Sequence, residues 1–163
     1  MTILYSYCDS PIGPLLLRGD GTALTGLYFS MGDKARGASA GWHRSDADFV
    51  RVKRQLAEYF AGQRKQFEVA LAPQGTPFQT SVWQALREIP YGETRSYLDI
   101  ARQIGNPKAV RAVGTANARN PLAILVPCHR VIGSDGSLTG FAGGLASKRA
   151  LLELESRHSG LWA

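Results

Sequence analysis

The chain has 163 residues, 44% hydrophobic and 20% charged, which excludes a wholly disordered protein and leaves room for one large domain or two small ones. Its 19 Lys and Arg against 13 Asp and Glu give a formal net charge of +6, a balance that attracts polyanions without naming one. No apolar stretch is long enough to span a bilayer, the N-terminus lacks a signal-peptide layout, and two cysteines, Cys8 and Cys128, are too few for a disulfide scaffold; a cytoplasmic, reducing setting without membrane contact is expected.

Residues 15–17 and 24–29 read as short strands around the turn Gly19-Asp20-Gly21. The Gly-, Ala- and Ser-rich stretch from Gly32 to Gly41 reads as a loop. Ser45, with Asp48 three residues on, offers an N-cap to a helix carrying Phe49, Val52, Leu56 and Tyr59, which Gly62 closes. Phe67, Val69 and Leu71 alternate like a strand. Residues 1–73 thus predict a small α/β domain, and Pro73-Gln74-Gly75 a linker to a second domain over 76–163. That second domain is mostly helical. Thr76, Pro77 and Gln79 form a capping box ahead of Phe78, Val82, Leu86 and Ile89 on one face, and Pro90-Tyr91-Gly92 stops the helix. Ser96 caps a helix with Leu98, Ala101 and Ile104, ended by Gly105. Asn106 caps a third, with Pro107 first, running through Val110 and Val113 towards Asn117.

Two short helices joined by a glycine turn over 96–117 have the layout of a helix-turn-helix. Lys108, Arg111 and Thr115 give the second helix a basic face of the kind that meets phosphates; a plain helical hairpin with solvated charges has the same pattern. Residues 122–126 are a continuous apolar run that should be buried and that delivers Cys128-His129-Arg130 at its end. Thiolate is the reactive form of cysteine, and a nearby His or positive charge favours it. Gly133 to Gly136 is a turn, and Gly140 to Gly144 a glycine-rich loop whose amides can approach a flat ligand. On the last helix, Glu155 follows Leu151 by four residues and so sits near an apolar face. It pairs either with a His, making a Cys-His-Glu relay, or with Arg157 or water at the helix edge. These residues alone fit a DNA-binding module with a structural or redox-sensing thiol, or a Cys-His-Glu hydrolase or acyltransferase.

Val126-Pro127-Cys128-His129-Arg130-Val131-Ile132 resembles the active-site signature of the O6-alkylguanine-DNA alkyltransferase (methylated-DNA–protein-cysteine methyltransferase) family. Ile89-Pro90-Tyr91-Gly92 with Tyr97, Arg111-Ala112-Val113-Gly114, Asn120-Pro121, and Gly143-Gly144-Leu145 with Leu151, Leu152 and Glu155 extend the likeness in order along the chain. Ser10 to Pro14 and Tyr59 to Gly62 match it loosely.

The resemblance implies DNA repair by direct reversal, each molecule acting once. Cys128 would take the alkyl group from O6 of guanine in double-stranded DNA, with O4-alkylthymine a further candidate. His129 would activate Cys128 through a water, Glu155 would orient His129, Tyr97 would donate to the departing guanine, and Asn120 would brace the turn before the active-site strand. Arg111 would fill the gap left by the flipped nucleotide, with Lys108, Thr115, Ala112 and Gly114 around it in the minor groove. Val131, Phe141, Ala142 and Gly143 would line the base pocket. The implied fold is an α/β N-terminal domain plus a mostly helical C-terminal domain with a winged-helix-like helix-turn-helix, in a monomer. Phe141 and Ala142 stand where related chains often carry Tyr and Ser, which bears on bulky substrates. Cys128 sets the chain apart from relatives with Trp there. Some relatives hold zinc, but Cys8, His43 and His158 have no ligand spacing, so neither metal nor cofactor is expected.

Overall fold

In the N-terminal half, β1 (Leu4–Cys8), β2 (Leu15–Gly19) and β3 (Leu24–Phe29) form an antiparallel meander. A two-residue strand, β4 (His43–Arg44), joins the free edge of β1 in parallel, giving the order β3-β2-β1-β4. The computed structural model describes residues 2–30, 37–139, 141 and 144–159, so part of the predicted 32–41 loop lies outside the described residues. Leu15, Leu16 and Leu17 are all fully buried, because both faces of the central strand are covered. Strand β1 carried no sequence signal, since its one buried position is Ser6, whose hydroxyl is satisfied by Asp46 Oδ1 at 2.6 Å.

A short 3-10 helix over Asp46–Phe49 leads into α1 (Val50–Phe60), which buries Val52, Leu56 and Tyr59. The predicted cap at Ser45 is not a backbone cap: its hydroxyl bonds the Asp48 carboxylate, and the α-helix begins only at Val50. The strand expected over Phe67 to Leu71 is likewise absent. That segment touches β3 only around Leu24, through Leu24 N to Ala70 O (2.9 Å) and Ala72 N to Leu24 O (2.8 Å). Farther back its backbone is satisfied by a side chain instead of a partner strand, Gln55 Oε1 accepting from Glu68 N at 2.8 Å.

The C-terminal half follows the expected helical plan. The capping box of Thr76 and Gln79 opens α2 (Pro77–Arg87), and a second one, Ser96 with Asp99, opens α3 (Tyr97–Gln103). Gly105, at φ +80°, ends α3 in a Schellman arrangement, with Asn106 N on Ala101 O at 2.9 Å. Asn106 therefore closes one helix instead of capping the next. Residues 106–109 form a turn, and α4 (Val110–Ala118) starts three residues later than Pro107 suggested, which leaves Lys108 ahead of the helix. Trp83 Nε1 donates to Ala116 O at 2.8 Å and ties α2 to α4. A two-stranded parallel pair, β5 (Arg95–Ser96) with β6 (Val131–Ile132), brings the start of α3 beside the segment after Cys128. Helix α5 (Leu145–Ser159) packs Leu151, Leu154 and Glu155 inward.

The two halves share one hydrophobic core. Leu27 N donates to Pro121 O at 2.8 Å, and the rings of Phe29 and Phe141 meet edge-on at 5.3 Å.

Candidate active site

Residues 122–126 are buried, as their composition requires, but they are not a strand. After Leu122 bridges to Leu27 the chain turns back on itself, with Val126 N on Leu122 O at 2.8 Å and Ile124 at φ 72°. A left-handed β-branched residue is costly on its own. Asn120 holds the turn from both sides: Oδ1 accepts from Leu122 N at 3.0 Å and Nδ2 donates to Val126 O at 2.8 Å. The next turn is a short 3-10 helix, Cys128–Arg130, in which all three side chains are buried. Asn117, from α4, donates to Cys128 O at 3.4 Å. Thus the end of the second helix of the helix-turn-helix is tied to the backbone of Cys128.

His129 and Arg130 both turn to Glu155, which resolves the choice the spacing left open in favour of a His partner. His129 Nε2 lies 2.6 Å from Glu155 Oε2, and its Nδ1 is buried with no partner among the described residues. Arg130 donates through Nε to Oε1 (2.8 Å) and through Nη2 to Oε2 (3.1 Å), while its Nη1 reaches Ile89 O at 2.7 Å. Two further donors complete the carboxylate, neither evident from sequence. Tyr59 OH, from α1, bonds Oε2 at 2.6 Å, and Gly92 N bonds Oε1 at 3.2 Å. Gly92 sits at φ +80° with Ser159 so close that a Cβ there would lie 2.5 Å from its Cβ, so the Pro-Tyr-Gly stop needs its glycine.

Burial sets the protonation states. It pushes the Cys128 thiol above its ordinary pKa, with Asn120 and the Lys148 charge pulling weakly the other way. It lowers the pKa of His129 against the opposing pull of Glu155, so the imidazole is kept neutral. Burial alone would raise Glu155, but the hydrogen bonds from His129 and Arg130 and the positive charge of Arg130 outweigh it and hold the carboxyl well below the usual range. A thiol held protonated by burial needs a base to react.

Lys148 was missed by the sequence reading. It is fully buried on α5 and donates to Val131 O (2.5 Å) and Thr139 O (2.8 Å). Its only signal was a position three residues ahead of Leu151, on the same helix face. Tyr97 packs over Gly114 and places its hydroxyl on Thr139 O at 3.2 Å. On α4, Arg111, Ala112 and Thr115 are exposed, and the Thr115 hydroxyl donates back to Arg111 O at 3.2 Å. Val131 is buried in β6, Phe141 is buried against Phe29, and Ala142 and Gly143 lie outside the described residues. A cavity of about 420 Å³ opens beside Cys128, between Asn117, Asn120 and Phe141 on one side and Arg18 and Tyr28 of the N-terminal sheet on the other. Among the described residues, no three His, Cys, Asp or Glu side chains gather as a metal-ligand set, and no helix is long and apolar enough to cross a membrane.

Comparison with known proteins matches two family models: the 6-O-methylguanine DNA methyltransferase ribonuclease-like domain over residues 3–73, and the DNA binding domain of the same name over residues 77–157. A methylated-DNA–protein-cysteine methyltransferase of Methanosarcina acetivorans is 57% identical over 151 residues, spanning 93% of this chain and 97% of its own. The protein of that name from Mycobacterium leprae is 55% identical over 148 residues, spanning 90% and 88%. The crystal structure of Mycobacterium tuberculosis O6-methylguanine methyltransferase aligns with a TM-score of 0.89 at 52% identity, covering 96% of this chain and 94% of that one. A structure of OGT from the same organism in complex with DNA aligns with a TM-score of 0.89 at 53% identity, covering 95% and 94%.

Proposed function

Because the chain belongs to the 6-O-methylguanine DNA methyltransferase family, we propose that Cys128 is the atom-level acceptor of the alkyl group and that His129 and Glu155 make it reactive. The protein binds DNA and repairs it by transferring an alkyl group to a cysteine of its own chain, as a methylated-DNA–protein-cysteine methyltransferase. The observation that carries the assignment of residues is the His129 ring, fixed at Nε2 by Glu155 while Nδ1 has no partner among the described residues.

In this reading Nδ1 takes the thiol proton through a water. The sulfur then attacks the alkyl carbon in line, the S–C bond forms as the C–O6 bond breaks, and the electron pair leaves with guanine. Tyr97 leaves Thr139 to donate to the departing base. Since a thioether is not reversed by any group in the site, each molecule acts once. A base stacked in a duplex is shielded, so the alkylguanine is flipped out, at a cost of about a few kcal/mol that is least for a damaged pair. The exposed Arg111, on the helix whose Asn117 bonds the Cys128 carbonyl, fills the gap, with Ala112, Gly114 and Thr115 against the minor groove and Lys108 on a phosphate. Val131 and Phe141 shape the base pocket, and a single copy of the chain carries the whole site.

Intact and peptide mass spectrometry after incubation with a duplex holding one O6-methylguanine tests this. The expected result is one methyl on the Cys128 peptide, stopping at one equivalent and absent in Cys128→Ser. Multiple turnovers, or a methyl elsewhere, would overturn it.

A further inference from the structure

We propose that Tyr59 is a positioning residue of the alkyl-transfer relay, through which the N-terminal half sets the strength of the Glu155–His129 bond. The inference rests on the role given above to Glu155 and His129.

Tyr59 lies on α1 and is fully buried. Its ring is fixed by Phe60, Phe67 and Tyr91, at centroid distances of 5.3, 5.4 and 6.2 Å. Its hydroxyl crosses to α5 and ends 2.6 Å from Glu155 Oε2. That oxygen is the one His129 Nε2 touches, also at 2.6 Å, with Arg130 Nη2 a longer third donor to it at 3.1 Å, whereas Gly92 N and Arg130 Nε share Oε1. Two short bonds on one oxygen compete for the same electron density, and in a dry interior each weakens the other. A tyrosine that only needed its buried hydroxyl satisfied would be served equally well by Oε1 or by a carbonyl.

The groups that face the carboxylate are Tyr59 on α1, Tyr91 in the turn after α2, and His129 and Arg130 in the 3-10 turn, while Lys148 of α5 acts on His129. Of these, Tyr59 is the neutral donor on the oxygen shared with His129. Without it Oε2 becomes a stronger acceptor for His129, and the protonated imidazole is favoured. A protonated ring cannot take the thiol proton, so the acid limb of the transfer rate moves to higher pH.

The test is the rate constant of methyl transfer at saturating O6-methylguanine duplex, followed by mass spectrometry of the Cys128 peptide across pH 5 to 9. Tyr59→Phe is expected to move the acid limb up by about half a pH unit, a roughly threefold loss of rate on that limb. Replacing Tyr59 by 3-fluorotyrosine, a stronger donor, is expected to move it down. This second variant keeps the hydroxyl, so it decides the matter if Tyr59→Phe fails to fold. Leu56→Ala, a packing change on the same helix, is expected to lower the melting temperature and leave the limb in place. If wild type transfers methyl to Cys128 and the Tyr59 variants track its profile, the positioning role is wrong. If wild type leaves Cys128 unmodified, the relay itself is wrong.

Discussion

Glu155 is an anion with one percent of its surface exposed, and it persists because donors from three separate segments converge on it: α1, the turn after α2 and the 3-10 turn. Breaking such a buried pair is costly mainly through what is left behind. In Glu155→Gln the Arg130 guanidinium keeps its burial and loses its counter-charge. The expected outcome is a loss of about 3 kcal/mol in unfolding free energy, measured by urea denaturation. Methyl transfer to Cys128 in the same variant is expected to slow by about a hundredfold in single-turnover kinetics, since His129 loses the partner that sets its tautomer. Cys128, His129 and Glu155 were all legible from the chain as reactive types near apolar runs. The other partners of Glu155 were not: Tyr59 is 96 residues away, and Arg130, adjacent to His129 along the chain, meets the same carboxylate only because the 3-10 turn folds it inward.

The elements with strong local chemistry were the ones the chain announced. Thr76 with Gln79 fixed the start of α2, and Ser96 the start of α3, because a cap needs only neighbours along the chain. The segments that failed depend on distant groups: Phe67 to Leu71 alternates like a strand but is held by the Gln55 side chain, and residues 122–126 turn back on Asn120. Asn106 and Pro107 read as a helix start because the Schellman closure of α3 uses the same residues. The caps also couple stability to recognition. Thr76→Ala and Ser96→Ala are each expected to cost about 1 kcal/mol in urea unfolding. Both are expected to weaken binding to a damaged duplex as well, read by fluorescence anisotropy, because α2 and α3 together seat the helix that carries Arg111.

For the molecule as a whole, the buried site makes stability depend on pH. His129 has a folded pKa below its ordinary 6.5 and Glu155 one below its ordinary 4.5. In both cases the unfolded chain binds its proton first as pH falls, so stability drops with acid. The His129 contribution is fully present above pH 6.5 and is lost as pH falls through its folded pKa, while that of Glu155 begins to be lost only below 4.5. Urea denaturation at steps from pH 7 to 4 is therefore expected to show a decline that starts above the carboxylate range. Replacing His129 by Asn should remove the part of that decline nearest pH 6. A flat profile down to pH 5 would contradict the buried neutral imidazole.

The carboxylate shared between α1 and α5 has a consequence for how the molecule can be taken apart. A cut in the Pro73-Gln74-Gly75 segment leaves Tyr59, Leu27 and Phe29 on one fragment and Glu155, Pro121 and Phe141 on the other. Neither fragment alone closes the site, and each exposes core to water. Fused to two interacting proteins, the fragments form a split reporter whose readout is covalent: one reassembly event writes one alkyl mark, and the mark outlasts the encounter that made it.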